Sequence, residues 1–279
     1  MTTAQPGSPA TPTAGATPPG RSLARPSGFV GDTAAVARRA LRSLLREPEA
    51  IIPALIIPVF FYAVNIGALQ DLAESGPAEF DYKAFQLPVA IVFAVTGVSR
   101  ASVVVTDIQS GYLDKLLVTP IKRAALLLGM MIADIALVFC LSGLVVFLGY
   151  VVGVRFESGP VGVLVFLLIS AGWGLAFTGF PYTVALRTGN PAAVNSAFVI
   201  FFPFAFLTTS FVPKEAMTSW LQTIAVWNPV TYLLGGLRSL VTVGWEARPL
   251  LEAAGAVVGV GAVSFFLAFT SLSKRVATG

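Results

Sequence analysis

The sequence predicts an all-α polytopic membrane protein, and three observations carry the prediction. Of 279 residues, 56% are hydrophobic and 11% charged, against roughly 25% charged in a soluble domain. The mean hydropathy is +0.81. The apolar residues fall in uncharged runs, several long enough for the roughly 20-residue helix that crosses a bilayer. Zero histidines and one cysteine, Cys140, exclude a His-ligated zinc site, a Ser-His or Cys-His catalytic pair and an intrachain disulfide. A membrane enzyme also fits poorly, since the spans supply a single carboxylate. The net charge is +4, but the basic residues cluster beside apolar runs, where they set membrane orientation rather than bind nucleic acid.

Residues 1–28 contain six prolines, four glycines and eight Ser or Thr. A segment so poor in burial is expected to be a disordered tail. It has no apolar core of a signal peptide, because the first long apolar run begins at Ala50, so the first span is expected to be retained. Between Asp32 and Glu47, Arg38, Arg42 and Arg46 recur at spacing four, opposite Val36, Ala40, Leu41, Leu44 and Leu45. This predicts an amphipathic helix over 32–47, N-capped by Asp32 and stopped at Pro48, with its arginines toward anionic headgroups. A solvated helix packed on another segment is the alternative.

Six spans follow, at about 50–70, 84–106, 124–154, 158–186, 188–213 and 253–273. The second is interrupted only by Arg100 and the third only by Asp134. With the N-terminus inside, 13 of the 18 Lys and Arg fall on the cytoplasmic side, and the positive-inside rule selects cytoplasmic N- and C-termini. The uncharged run Ala216–Leu237 is long enough for a seventh span, but that would export Lys274 and Arg275. Its central Asn228-Pro229 predicts two short outer-leaflet helices broken at that point, a re-entrant segment.

The connection between spans two and three, 107–121, combines charge with apolar residues. Gly111 opens a turn, Tyr112, Leu113, Leu116 and Leu117 form an apolar face, and Pro120 separates the short helix from span three. Such a helix suits a partner's groove, or merely lies at the interface between two spans, and periodicity leaves both open. The chain has no G-x-x-x-x-G-K-[ST], and no Gly is followed by Lys. If ATP drives it, a separate subunit brings the nucleotide site.

The pattern acidic-x-x-x-Gly-x-x-x-x-Leu-x-x-x-Pro from Asp107 to Pro120, followed by LLLG at 126–129, resembles the cytoplasmic loop of ABC type-2 permeases. The segment FLTTSFVPKEAMTSWLQTIAVWNPVTYLLGGLRSL, 206–240, is similar to that family's outer segment, and the daunorubicin-resistance branch of multidrug exporters is the nearest in pattern. The resemblance runs from about Arg39 to the C-terminus. It implies a bacterial cytoplasmic-membrane permease subunit that pairs with a second copy, as a homodimer, and with two copies of a cognate ABC ATPase. The permease would bind no cofactor, with ATP and Mg held by the ATPase. It also implies that Gly111, Leu116 and Pro120 belong to the ATPase-coupling helix, Arg38–Arg46 to the interfacial helix, and Pro213, Trp220, Asn228 and Pro229 to the re-entrant segment. Family members commonly carry two glutamates where this chain has Asp107 and Gln109, and often a basic residue where it has Met130.

Two readings of the intramembrane charges remain. Asp134 lies ten residues into span three, about 15 Å along the axis, and either forms a structural pair with Arg100 or carries a proton or cationic substrate. The second option would make the chain a proton-coupled secondary multidrug carrier. The first fits an ATP-driven exporter of drug-like or lipid-like amphipaths, with a path between copies lined by spans one, two and five. Phe198, Phe201 and Phe202 would offer that cargo apolar contact, or serve as packing and lipid-facing residues.

Overall fold

The computed structural model describes residues 28–44, 48–75, 80–96, 98–112, 123–199 and 201–278. Among the described residues every regular element is helical. The expected tail over 1–27, Arg46, the coupling-loop residues Leu113, Leu116, Leu117 and Pro120, and the Phe198 side chain lie outside this set. The elements are α1 (Phe29–Leu44), α2 (Pro48–Glu74), α3 (Tyr82–Thr96), α4 (Ala101–Gln109), α5 (Arg123–Val151), α6 (Gly159–Thr188), α7 (Pro191–Val199), α8 (Phe201–Phe206), α9 (Ser219–Trp227), α10 (Pro229–Thr242) and α11 (Ala247–Thr278), with a 3-10 turn at Lys214–Ala216.

Four stretches are long and apolar enough to cross a membrane: Tyr82–Gln109, Ala124–Val151, Gly159–Thr188 and Ala247–Arg275. The apolar pieces Ile56–Leu72 and Pro191–Phe206 are shorter. Their outward faces carry exposed apolar residues: Ile56, Phe60 and Val64 at spacing four on α2, Val161, Leu164 and Leu168 on α6, and Leu251, Val258 and Phe266 on α11. Faces so extensive are stable in hydrocarbon and would not persist in water.

α6 is the central element, packed against α3, α5, α10 and α11. Close approach there depends on small residues. A Cβ at Gly174 would sit 2.9 Å from Val138 of α5, and one at Gly179 would sit 2.6 Å from the Ser264 backbone of α11. The Ser264 hydroxyl donates to the Ala176 carbonyl across the same seam. Van der Waals contact between small residues with an interhelical hydrogen bond is how apolar helices associate without a hydrophobic driving force between them. The core is filled by Leu87, Ile91, Val138, Phe166, Trp173, Leu233, Leu237 and Leu240.

One sequence expectation is revised, and two of the predicted stretches are not continuous helices. The helix containing Asp32 starts at Phe29, so Asp32 lies in the first turn, its N–H donating to the Gly28 carbonyl, and is not the N-cap. α1 also packs along α5, where a Cβ at Gly129 would meet Val36 at 2.6 Å and the Thr33 carbonyl at 2.9 Å. The stretch 84–106 is broken: α3 ends at Thr96 and α4 begins at Ala101. Within 188–213 the last helix ends at Phe206, and just beyond it the Thr208 and Ser210 hydroxyls donate to the Ala205 carbonyl. In hydrocarbon, hydroxyls that satisfy main-chain acceptors let a helix end within an uncharged run.

Candidate coupling end and the intramembrane carboxylate

One end of the bundle collects α1, the C-terminal turn of α4, the α6–α7 connection and the last turns of α11. Arg39 of α1 grips Asp107 of α4 through two hydrogen bonds, Nη1 to Oδ2 at 3.3 Å and Nη2 to Oδ1 at 3.1 Å. Its guanidinium also lies 4.2 Å from the centre of the Tyr112 ring. The Asp107 hydrogen bond raises the Arg39 pKa above its ordinary value, outweighing partial burial, which acts the other way. Asp107 is buried while Arg39 remains half exposed, so solvent screening keeps the pair's net contribution near the surface-pair range of about 0–1 kcal/mol.

On its other side α4 is tied to α6: Gln109 Nε2 donates to the Gly189 carbonyl at 3.1 Å. Gly189 closes α6 in the left-handed conformation, φ 58°, which a residue with a Cβ adopts only under strain. Gly111 has φ 67°, which makes the turn out of α4 dependent on glycine in the same way. α11 is fastened here by Arg275 Nη1 to the Leu186 carbonyl, 3.2 Å, and by Arg187 Nε to Ser271 Oγ, 2.9 Å. Of the sequence-predicted coupling residues, Gly111 and Tyr112 stand at the start of the loop. Arg38 and Arg42 are exposed on α1. Arg39, which makes the clasp, is not marked by the spacing, because it falls one residue off the Arg38–Arg42–Arg46 stripe.

Deeper in the bundle, Asp134 is wholly buried. Its Oδ1 accepts from the Arg100 backbone N–H at 3.1 Å and its Oδ2 from the Tyr182 hydroxyl at 2.9 Å. Arg100 is the N-cap position of α4 and its own side chain does not cap the helix, whose first N–H, that of Ala101, donates to Ser99 Oγ at 3.1 Å. Asp134 of α5 supplies, from a neighbouring helix, the acceptor for the N–H of the N-cap residue itself. The two intramembrane charges are brought together, but through the main chain. The Arg100 side chain also ties α1, Nη1 donating to the Ala40 carbonyl at 3.0 Å. Trp173 Nε1 donates to Thr96 Oγ1 at 2.9 Å and pins the last residue of α3 to α6. The break in the second span thus joins α1, α5 and α6. Tyr182 carried no sequence signal, since an aromatic residue in an apolar run reads as packing.

Further along the bundle, Asn228 caps α10, its Oδ1 accepting from Val230 N–H at 3.0 Å. Its Nδ2 donates to the carbonyls of Phe204 at 2.6 Å and Leu207 at 3.1 Å. With Pro229 at the first helical position, the break between α9 and α10 lies where the sequence places it. Pro213 precedes the 3-10 turn and Trp220 is exposed. Phe201 is buried and Phe202 is 48% exposed. Both rings lie against that of Phe93 in α3, at 6.1 and 6.2 Å between centroids, and Phe93 also meets Phe61 of α2 at 5.3 Å. Phe201 further lines an apolar cavity of about 350 Å³ with Trp173, Phe177, Phe204 and Val230.

Comparison with known proteins follows the same outline. A family model described as ABC-2 type transporter matches residues 32–242. Over 224 residues, 80% of this chain and 81% of the relative, the sequence is 24% identical to a probable doxorubicin resistance ABC transporter permease protein, DrrC, of Mycobacterium tuberculosis. It is 26% identical over 232 residues, 80% of each chain, to the daunorubicin resistance ABC transporter permease protein DrrB1 of Streptomyces coeruleorubidus. To a putative transport permease, ycf38, of Cyanophora paradoxa it is 28% identical over 222 residues, 76% of this chain and 74% of the other. A permease of this kind is a membrane transport subunit and not an enzyme, ATP hydrolysis belonging to a separate subunit. The match begins at Asp32 in the first turn of α1 and ends at Thr242, the last residue of α10, and the chain belongs to the ABC-2 type transporter family.

Proposed function

We propose that the chain is the permease subunit of an ATP-driven exporter that moves a drug-like or lipid-like amphipath outward across the cytoplasmic membrane. Six spans, with α2 and the α7–α8 stretch added to the four long ones, keep both termini inside, and the α9–α10 pair enters the outer leaflet without crossing. Two copies assemble with two cognate ATPase subunits, which hold ATP and Mg, and the loop after Gly111 docks on them. One observation carries the coupling part of this reading: the Arg39–Asp107 clasp, which joins the root of that loop to α1. A push on the loop would reach α4, the break at 98–100 and α1 together. The assignment of drug-like cargo draws on the permeases named for doxorubicin and daunorubicin resistance. The Phe61–Phe93–Phe201–Phe202 cluster, which joins spans one, two and five, supports an apolar path there.

The test is co-expression with the cognate ATPase. Leu116→Asp puts a charge on the apolar face of the docking helix. The variant should insert normally yet fail to co-purify with the ATPase or stimulate its hydrolysis. Undiminished co-purification would refute the docking assignment. Export that continued with a hydrolysis-dead ATPase would favour the proton-coupled carrier instead.

A further inference from the structure

The end of the molecule opposite α1 holds a cleft that coupling and transport leave unused. Two adjoining hollows, of about 500 and 440 Å³, share Phe80, Asp81 and Gly153 in their walls. The smaller is also lined by Arg155, Glu157 and Arg238, the larger by Glu74 and Lys83. Arg238 is the unusual member. Its guanidinium lies 3.5 Å from the centre of the Phe85 ring. Nε donates to the Phe85 carbonyl at 3.1 Å, Nη1 to Thr209 Oγ1 at 3.0 Å and Nη2 to the Thr209 carbonyl at 2.6 Å. All three acceptors are neutral, and among the described residues no carboxylate lies within ion-pair distance of it.

A guanidinium has five N–H donors, so two remain on a cation held rigidly at the wall of an open hollow. A cation inside a membrane protein is costly unless paired, and marks a site whose partner is to be sought. The natural partner for such a cation is a phosphate or carboxylate, taken here through a single charge-assisted hydrogen bond because the two remaining N–H groups lie on different edges of the guanidinium. The rest of the cleft narrows the choice. Glu74, Asp81 and Glu157 line the two hollows together with Lys83, Arg155 and Arg238, three acids and three bases. A simple anion would meet the carboxylates, whereas a phosphate with an ammonium a few atoms away satisfies both signs.

We propose that this cleft binds the headgroup of a phosphoethanolamine lipid from the adjacent leaflet. Its phosphate lies on Arg238 and its ammonium toward Asp81 and Glu157. The inference requires that the chain spans a bilayer, and it is independent of any ATPase. Binding is therefore measured on the full-length permease alone in detergent, where failure leaves the transport reading standing.

Native mass spectrometry and lipid-dependent thermal shift would be run with dioctanoyl phosphatidylethanolamine, dioctanoyl phosphatidylglycerol and free phosphoethanolamine. The ethanolamine lipid should bind saturably and more tightly than the glycerol lipid, with free phosphoethanolamine far weaker than either. Arg238→Gln should weaken the ethanolamine lipid about tenfold or more, the scale of a lost charge-assisted hydrogen bond. Because Arg238 also fastens α10 to α3, Glu157→Gln on the exposed rim is the second variant. It should keep the fold and lower the preference for ethanolamine over glycerol by about threefold or more. Equal binding of the two lipids by the native chain, an unchanged preference in Glu157→Gln, or tight binding of free phosphoethanolamine would each overturn the proposal.

Discussion

Asp134 divides its two oxygens between partners that lie 34 residues before it and 48 after it, the Arg100 N–H and the Tyr182 hydroxyl. Both donors are buried, so a side chain unable to accept strands two polar groups at once, each at a cost of about 1–3 kcal/mol. Asp134→Leu should therefore lower the stability of the inserted protein by roughly 3–5 kcal/mol, read as a large fall in the thermal midpoint. Asp134→Asn retains an oxygen for the Arg100 N–H and an amide that can donate to the Tyr182 oxygen. Its expected cost is about 1 kcal/mol, and ATP-driven export should survive. A stable, inserted Asp134→Asn that transports nothing at any pH would instead identify Asp134 as a proton carrier. Because the hydrogen bond to position 100 is made by the main chain, Arg100→Gln should leave it in place, and its expected defects include the loss of the bond to Ala40 and of the guanidinium charge near Asp134.

At the level of elements, the two breaks are built differently. The α9–α10 break is local: Asn228 caps, Pro229 starts the next helix, and the amide nitrogen secures α8. Asn228→Ala removes the cap and both ties and should cost about 2–3 kcal/mol. Asn228→Asp should recover only the cap, since a carboxylate cannot donate to the Phe204 and Leu207 carbonyls. Equal thermal midpoints for the two variants would mean that the ties to α8 contribute nothing. The α3–α4 break has one local bond, from Ala101 N–H to Ser99 Oγ, and is otherwise held from outside, by a carboxylate from α5 and a tryptophan from α6. That difference explains what could be read in advance. Asn-Pro in an apolar run announces a helix boundary by itself, whereas 84–106 is apolar but for Arg100 and gives no sign of Asp134 reaching across. The early end of α8 escaped for a related reason, because Thr and Ser count as tolerable in a span until their hydroxyls cap a helix from within. Gly111 was legible as a turn; Arg39 was not, since its partner Asp107 is 68 residues away.

For the molecule as a whole, the helical class, the membrane setting and the family could be read from length, apolarity and two motifs, because each is a property of sequence alone. Pairings between distant helices could not. The six-span arrangement makes a direct prediction for cysteine scanning in intact cells. A membrane-impermeant thiol reagent should reach cysteines placed in 71–81 and near Lys214, and spare those in 109–115 and after Lys274. External labelling of the C-terminus would exclude the arrangement. The native thiol enters such work in another way. Cys140 is exposed on the flank of α5, 17 residues from Arg123 and 11 from Val151, the ends of that helix. A nitroxide attached there to the otherwise unaltered chain is a depth gauge. Its relaxation by oxygen, which partitions into acyl chains, against that by a water-soluble nickel chelate reports where the middle of α5 sits along the bilayer normal. Were two copies to assemble, the same pair of spins would serve as a ruler between them, with no other thiol to remove first.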